Sequence, residues 1–215
     1  MEGYSSVPDP ALALVRGIPL AEEPGLGPLT LSSFLQEVIA RHGAREAIAQ
    51  PRSDGTVERW SYDEVGRRAM TVARALVACG VGKGTRVGVL MTNRAEFVAS
   101  VFGIALAGGV VTAFSTFATA HELDQMLSAS GCSLVLVEPQ VIKTDFVSII
   151  RELEPRVATA EPGLLLSVRY PFLRRVVALD GVSTNGAIEA WDDFLARSAA
   201  VEEDTVRVRA AANSP

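Results

Sequence analysis

Between Thr85 and Val137 the chain alternates two kinds of apolar pattern. Thr85–Leu90, Val110–Phe114 and Leu134–Val137 are short and almost wholly apolar, which predicts strands of a parallel sheet buried on both faces. Arg94–Leu106 and His121–Ser130 lie between them and predict crossover helices. Two polar pairs three residues apart, Asn93 with Glu96 and Thr119 with Glu122, predict capping boxes that satisfy the first free N–H groups of these helices. Strand-helix-strand units of this kind pack right-handed and stack side by side, so the remainder of the chain reads as addition to an open α/β sheet.

The flanking segments follow from the same patterning. Residues 1–29 hold five prolines and several apolar side chains, among them Leu12, Leu14, Val15, Ile18 and Leu20, and predict an extended arm lying over something else. Leu31, Phe34, Leu35, Val38 and Ile39 recur at helical spacing and Gly43 supplies a stop. Ala47–Gln50 and Thr56–Trp60 predict a hairpin turning through Ser53, Asp54 and Gly55. Ser61 and Glu64 open the clearest helix, with Tyr62, Val65, Ala69, Val72, Ala73 and Leu76 on one face and Gly80 at its end. Further on, the spacing predicts a helix over Thr144–Leu153, an inserted loop or frayed helix over Arg156–Pro171, a strand at Arg175–Leu179 and a helix over Gly186–Ser198. No final element is recognisable after Glu202.

Composition narrows the class without naming a function. The 215 residues allow a sizeable core, and 48% hydrophobic with 21% charged residues is ordinary for a globular chain. A net charge of -5 without a Lys/Arg cluster excludes a nucleic-acid surface. Cys79 and Cys132 have no CxxC spacing, and the N-terminus shows no signal-peptide pattern; a reduced, cytoplasmic protein is expected, with peripheral membrane association left open. The uncharged stretch Phe97–Ala120 has the length of a membrane span, but Gly108 and Gly109 interrupt it and Val110, Val111 and Thr112 favour a strand.

Candidate chemistry is sparse. His42 and His121 are the only histidines, one near a helix end and the other in a first turn, which gives a His-based metal site or a Ser-His-Asp triad too little to work with. Gly80–Thr85 resembles a phosphate cradle only superficially. Gly84 separates Lys83 from Thr85 and the order is helix, loop, strand, so a helix C-cap and turn is the better account. In open α/β sheets ligands collect beyond the carboxyl ends of the strands. Those ends are Met91–Asn93, Ser115–Phe117 and Glu138–Gln140, where hydroxyls beside Phe114 and Phe117 suit a nucleotide and the helix start after Thr119 suits a phosphate. The competing account assigns Asn93 and Thr119 to capping and the aromatics to the core.

The motifs Trp60-Ser61-Tyr62-Asp63-Glu64-Val65, Lys83-Gly84-Thr85-Arg86-Val87-Gly88-Val89-Leu90-Met91-Thr92-Asn93 and Ala107-Gly108-Gly109-Val110-Val111-Thr112 occur in an order that resembles the opening of the adenylate-forming enzymes. The flavour is that of a fatty-acyl-CoA synthetase. The resemblance implies an α/β fold with an open, mostly parallel sheet flanked by helices on both faces and a small N-terminal β-hairpin. Residues 30–200 would form the N-terminal subdomain of an AMP-forming ligase and residues 201–215 a tail leading towards an ATP-binding loop. It implies a two-step reaction: a carboxylate, such as a fatty acid, attacks the α-phosphorus of ATP with Mg2+ present, and CoA then displaces AMP to give a thioester. The family's Ser/Thr/Gly-rich loop, ribose-binding Asp and mobile-domain lysine have no counterpart here, so the chain is expected to be inactive alone, to need the rest of its own chain and to hold no cofactor tightly. By resemblance, Phe114, Ser115, Thr116 and Lys143 would lie at the rim of the CoA site, although Ser115 and Thr116 stand where CoA-using relatives carry glycines. A stand-alone nucleotide- or CoA-binding module and a fatty-acyl-AMP ligase are the competing readings. Apolar surface left open would favour a dimer.

Overall fold

A computed structural model describes residues 17–19, 22, 29–52, 54–180 and 185–212. Most of the predicted arm, Ser53 of the hairpin turn and the final Asn213–Pro215 lie outside the described residues. Helix α1 (Leu31–His42) leads to an antiparallel hairpin, β1 (Glu46–Pro51) and β2 (Val57–Ser61), and then to the long helix α2 (Tyr62–Ala78). The predicted alternating unit follows as β3 (Arg86–Leu90), α3 (Ala95–Leu106), β4 (Val110–Ala113), α4 (Ala120–Ser130) and β5 (Leu134–Val137). A tight hairpin, β6 (Gln140–Val141) and β7 (Thr144–Asp145), precedes α5 (Phe146–Leu153). The described chain closes with β8 (Arg175–Ala178), β9 (Ile188–Ala190), α6 (Trp191–Ala196) and α7 (Glu203–Ala211).

Five strands form one parallel sheet in the order β4-β3-β5-β8-β9. Its two faces explain the uninterrupted apolar runs. Leu134 and Leu136 of β5 point, with Val87, Val89 and Val177, into a core closed by α1, α2, α3, α6 and α7. Val135 and Val137 point the other way, to Leu123, Leu127, Phe146 and Ile150 on α4 and α5. Burial on both faces holds for β5 and for β3 after Arg86, but the expectation fails for β4, which lies at the edge of the sheet and is half-buried to exposed. Close approach of α2 and α3 depends on Gly103, where a Cβ would lie 2.7 Å from Val72 Cγ1 and 2.9 Å from the carbonyl oxygen of Ala69. Among the described residues no helix is long and apolar enough to cross a membrane; the uncharged stretch is α3 followed by β4.

Several expectations need correction. Thr119 and Glu122 form the predicted capping box, each side chain bonded to the other residue's N–H. Asn93 and Glu96 do not. The N-cap of α3 is Arg94, without a side-chain cap, and the Ala95 N–H donates instead to Gln50 Oε1 at 2.7 Å from the end of β1. At α2 half of the box forms: Ser61 Oγ accepts the Glu64 N–H, whereas the Glu64 carboxylate turns to Arg67 and Arg68. Helix α5 starts later than predicted because Thr144 and Asp145 belong to β7, Asp145 capping the helix by accepting the Ser148 N–H.

The predicted helix over Gly186–Ser198 divides into β9, α6 and a 3-10 turn at Arg197–Ala200; parallel pairing of Ile188 with Val176 outweighs the local spacing. Beyond Glu202, where no element was expected, the chain forms α7, which buries Val206 and Ala210. Arg156–Pro171 opens in a 3-10 turn at Pro155–Ala158 and then runs irregularly over the second face, burying Val157, Leu165 and Tyr170. Tyr170 Oη donates to Asp124 Oδ1 at 2.7 Å and Arg169 pairs with the same carboxylate, tying the segment to α4. Cys132 is buried just after α4 and Cys79 half-buried at the end of α2; both are free thiols.

Candidate functional site at the carboxyl ends of the strands

Helix α3, after β3, packs on one face of the sheet and α4, after β4, on the other, which opens a crevice beyond the carboxyl ends of the strands. Its centre is an arginine that sequence reasoning missed. The Arg94 guanidinium, 8% exposed, donates from Nη1 and Nη2 to the two oxygens of Asp180 at 2.6 and 2.9 Å, and from Nε to Glu96 Oε2 at 2.8 Å. Glu138 Oε1 lies 3.2 Å from Nη1. The other oxygen of Glu138 accepts the Thr92 N–H and Oγ1–H at 2.8 and 2.7 Å. One guanidinium thus joins the ends of β3, β5 and β8. Asp180 reaches it with φ of 58°, in the left-handed region that few non-glycine residues occupy.

The electrostatics follow from this geometry. Burial opposes charge on Arg94, but the hydrogen bonds it donates to Asp180 and Glu96 override it and raise the guanidinium pKa further. The Arg94 hydrogen bond holds the Asp180 carboxyl below its ordinary range. Burial would raise Glu96, yet Arg94 brings it down as well. These carboxylates are committed to Arg94 and Thr92, so they do not make a Mg2+ site, which requires oxygen ligands free to turn to a hard cation. Among the described residues no group of three or more His, Cys, Asp or Glu side chains is placed to hold a metal.

The four residues expected at a ligand rim are placed as follows. Phe114 is buried, its ring lying over Gly88 of β3, where a Cβ would come within 2.8 Å of Cε2. Ser115 is exposed and its Oγ accepts the Phe117 N–H at 3.2 Å; Thr116 is half-buried. Ser115 and the strongly exposed Phe117 line a groove of about 540 Å3 against Ala118, Gln125 and Met126 of the α4 region. Lys143 is exposed at the tip of the β6–β7 hairpin beside Ile142, which adopts φ of 55°. The strand order sets β3 between β4 and β5, and Lys143 is not among the residues lining the groove of Ser115. Phe114, Ser115 and Thr116 therefore share the end of β4, and Lys143 follows the end of β5, with β3 between them. The phosphate-cradle lookalike Gly80–Thr85 is a helix end and turn at the opposite, amino end of the sheet, with Gly80 and Gly84 both at positive φ.

Residues 35–184 match the model of the AMP-binding enzyme family. Acyl-CoA ligase SID4 of Ajellomyces capsulatus is 29% identical over 170 residues, covering 79% of this chain and 26% of that protein. Human medium-chain acyl-CoA ligase ACSF2, mitochondrial, is 28% identical over 176 residues, covering 81% of this chain and 28% of that protein. The crystal structure of the anthranilate CoA ligase AuaEII in complex with anthranoyl-AMP shares the fold at a TM-score of 0.63 and 19% identity, covering 82% of this chain and 29% of that one. The chain spans less than a third of the length of these relatives. The expected open, mostly parallel α/β sheet is the sheet observed. With the family model matched across most of the chain, the protein belongs to the AMP-binding enzymes, the adenylate-forming superfamily of the acyl-CoA synthetases.

Proposed function

We propose that these residues are the amino-terminal portion of an ATP-dependent, AMP-forming acyl-CoA synthetase that joins a fatty acid or related carboxylate to CoA. The observation that carries the reading is the pairing of a family match over residues 35–184 with relatives named acyl-CoA ligases of which the chain covers 26–28%. In this reading ATP supplies the activated phosphorus and Mg2+ the charge that steadies it, both held by parts of the protein outside these residues. The residues present act as framework. Arg94 locks three strand ends, and the ends of β4 and β5 offer one wall to the CoA nucleotide through Ser115, Thr116 and Lys143, with Phe114 as the floor beneath them.

The reading makes the described unit inactive alone, because the crevice spends its own carboxylates on Arg94 and offers no free ligand set for a phosphate in transfer. Pyrophosphate release and acyl-adenylate formation, measured side by side for the full-length protein and the 215-residue chain with a panel of fatty acids, test it. Activity is expected from the longer protein and none from the shorter. Adenylate formation by the short chain would overturn the reading.

A further inference from the structure

At the amino ends of β3, β5 and β8, on the opposite side of the sheet from the crevice, lies a cavity of about 340 Å3. Its wall includes Cys79, Ser133, Gly163, Phe172, Arg174 and Arg175. Arg175 is buried, and its Nη1 donates to Glu189 Oε2 at 2.5 Å. The same carboxylate receives Arg197 Nε at 2.5 Å through its other oxygen. Two guanidinium groups thus share one carboxylate, with Asp193 acting on Arg197 only at longer range. Arg174 has no ion pair among the described residues; its Nη1 donates to the backbone carbonyls of Pro171 and Leu173 at 2.8 and 2.9 Å. Arg86 also has none, and its Nη1 flanks Gly131 together with the ring of Phe172, 3.5 and 3.4 Å from where a Cβ would lie.

Two arginines, Arg174 and Arg175, therefore line this hollow, with Arg86 near its mouth beside Phe172 and a single carboxylate, Glu189, already shared by Arg175 and Arg197. Arg174, half-buried, has backbone carbonyls in place of a counter-ion, Arg175 turns Nη2 towards Gly163 in the cavity wall, and guanidinium forks suit phosphate oxygens. The backbone also makes room for the charge. Gly163 has φ of 92°, and a Cβ there would sit 2.7 Å from Arg175 Nη2, so a side chain at this position would push the guanidinium out of the wall. Phe172, 61% exposed, adds an aromatic face at the mouth, and Ser133 a hydroxyl. We propose that this cavity is a binding site for a small phosphate-bearing anion, held by Arg174, Arg175 and Arg86, with Phe172 placed to stack on a base where the anion is a nucleotide. The proposal does not depend on the acyl-CoA synthetase reading, since it concerns only residues at the amino end of the sheet.

Calorimetric titration of the 215-residue chain with inorganic phosphate, pyrophosphate and AMP, against sodium chloride at matched ionic strength, tests it. The position is read from alkylation of Cys79 followed by mass spectrometry. Saturable binding of at least one phosphate probe and slower alkylation of Cys79 are expected. Arg174→Gln and Arg86→Gln each remove a charged donor and are expected to weaken binding by about ten- to a hundredfold. Arg174→Lys should keep most of it, and unchanged circular dichroism shows that the variants fold. Phe172→Ala weakening AMP but not pyrophosphate assigns the stacking role; equal weakening of the two removes it. Absence of saturable binding, binding matched by chloride, or binding that survives both Gln variants without protecting Cys79 would overturn the site.

Discussion

The two ends of the sheet handle charge in opposite ways. At the carboxyl end one arginine, Arg94, meets three carboxylates from three separate segments, and every strong donor on it is used. At the amino end Arg175 and Arg197 share Glu189, while Arg86 and Arg174 have no acidic partner among the described residues. Buried charge is tolerated when it is neutralised, as Arg94 and Arg175 both are, whereas the half-buried Arg174 and the exposed Arg86 keep guanidinium donors that an anion from solution can reach. The crevice that the fold rule nominates for ligands is braced from within. The open electrostatic demand lies at the other end, where no rule of topology points.

The sharpest way to break this comparison is to remove Arg94. Arg94→Met leaves the partly buried Glu96 and Glu138 without this guanidinium, with Arg52 still 3.6 Å from Glu96, and unfolding by denaturant should show a loss of about 3–5 kcal/mol. A loss under about 1 kcal/mol, the size of an exposed pair, would mean that solvent already screens the cluster. Acid provides a second reading of the same cluster. Asp180 and Glu96 have carboxyls held below their ordinary range, so the stability they contribute is present above that range and is lost as the pH falls through their lowered values. Denaturation midpoints of the unmodified chain should therefore fall on acidification below about pH 4, and Arg94→Met should flatten that part of the profile. Equal slopes in the two proteins would detach the acid sensitivity from Arg94.

At the amino end the corresponding variant is Gly163→Ala. It forces a side chain onto a residue at φ of 92° and into the space of the Arg175 guanidinium, for a cost of about 1–3 kcal/mol. Because the Arg175 fork is displaced, phosphate affinity should fall with stability. Arg86→Gln, on an exposed side chain, should lower affinity with stability nearly unchanged. Parallel behaviour of the two variants would show that the arginines support the fold and nothing more.

Why one end could be anticipated and the other could not is a matter of sequence distance. The runs of β3 and β5 were legible because both strands are buried on both faces; β4, at the sheet edge, is half-buried to exposed and was legible from its β-branched residues alone. The Thr119–Glu122 box was legible because both partners lie within one turn. The start of α3 was not, since its partner Gln50 lies 45 residues away. Arg94 belongs with Glu138 and Asp180, and Arg175 with Glu189, Arg197 and Gly163; only the folded sheet brings such groups together. Helix α7 escaped notice because its polar first turn and small residues carry little periodic pattern, and tertiary burial of Val206 and Ala210 decides it. Among the rim candidates, Ser115 and Thr116 fell at a strand end as read and Phe114 in the core, as the competing account had it, whereas Phe117, given to the core by the same account, is strongly exposed.

The smallest expected effect tests whether the carboxyl end is held by its central cluster or by the helix starts around it. Thr119 caps α4 through its Oγ1, which accepts the Glu122 N–H at 3.3 Å, and its own N–H donates to Glu122 Oε2 at 2.8 Å. Thr119→Ala removes the first of these bonds, together with the one the hydroxyl donates to Glu122 Oε2 at 2.9 Å, and leaves the backbone bond, so denaturant unfolding should show a loss of about 1 kcal/mol. Thr119 and Arg94 lie on separate strand ends and share no hydrogen-bond partner, so the double variant should lose the sum of the two single effects to within about 0.5 kcal/mol. A larger coupling would mean that the groove of Ser115 and Phe117 and the Arg94 cluster respond as one unit. In that case a ligand held at the end of β4 would be felt at Asp180, on the far side of the crevice.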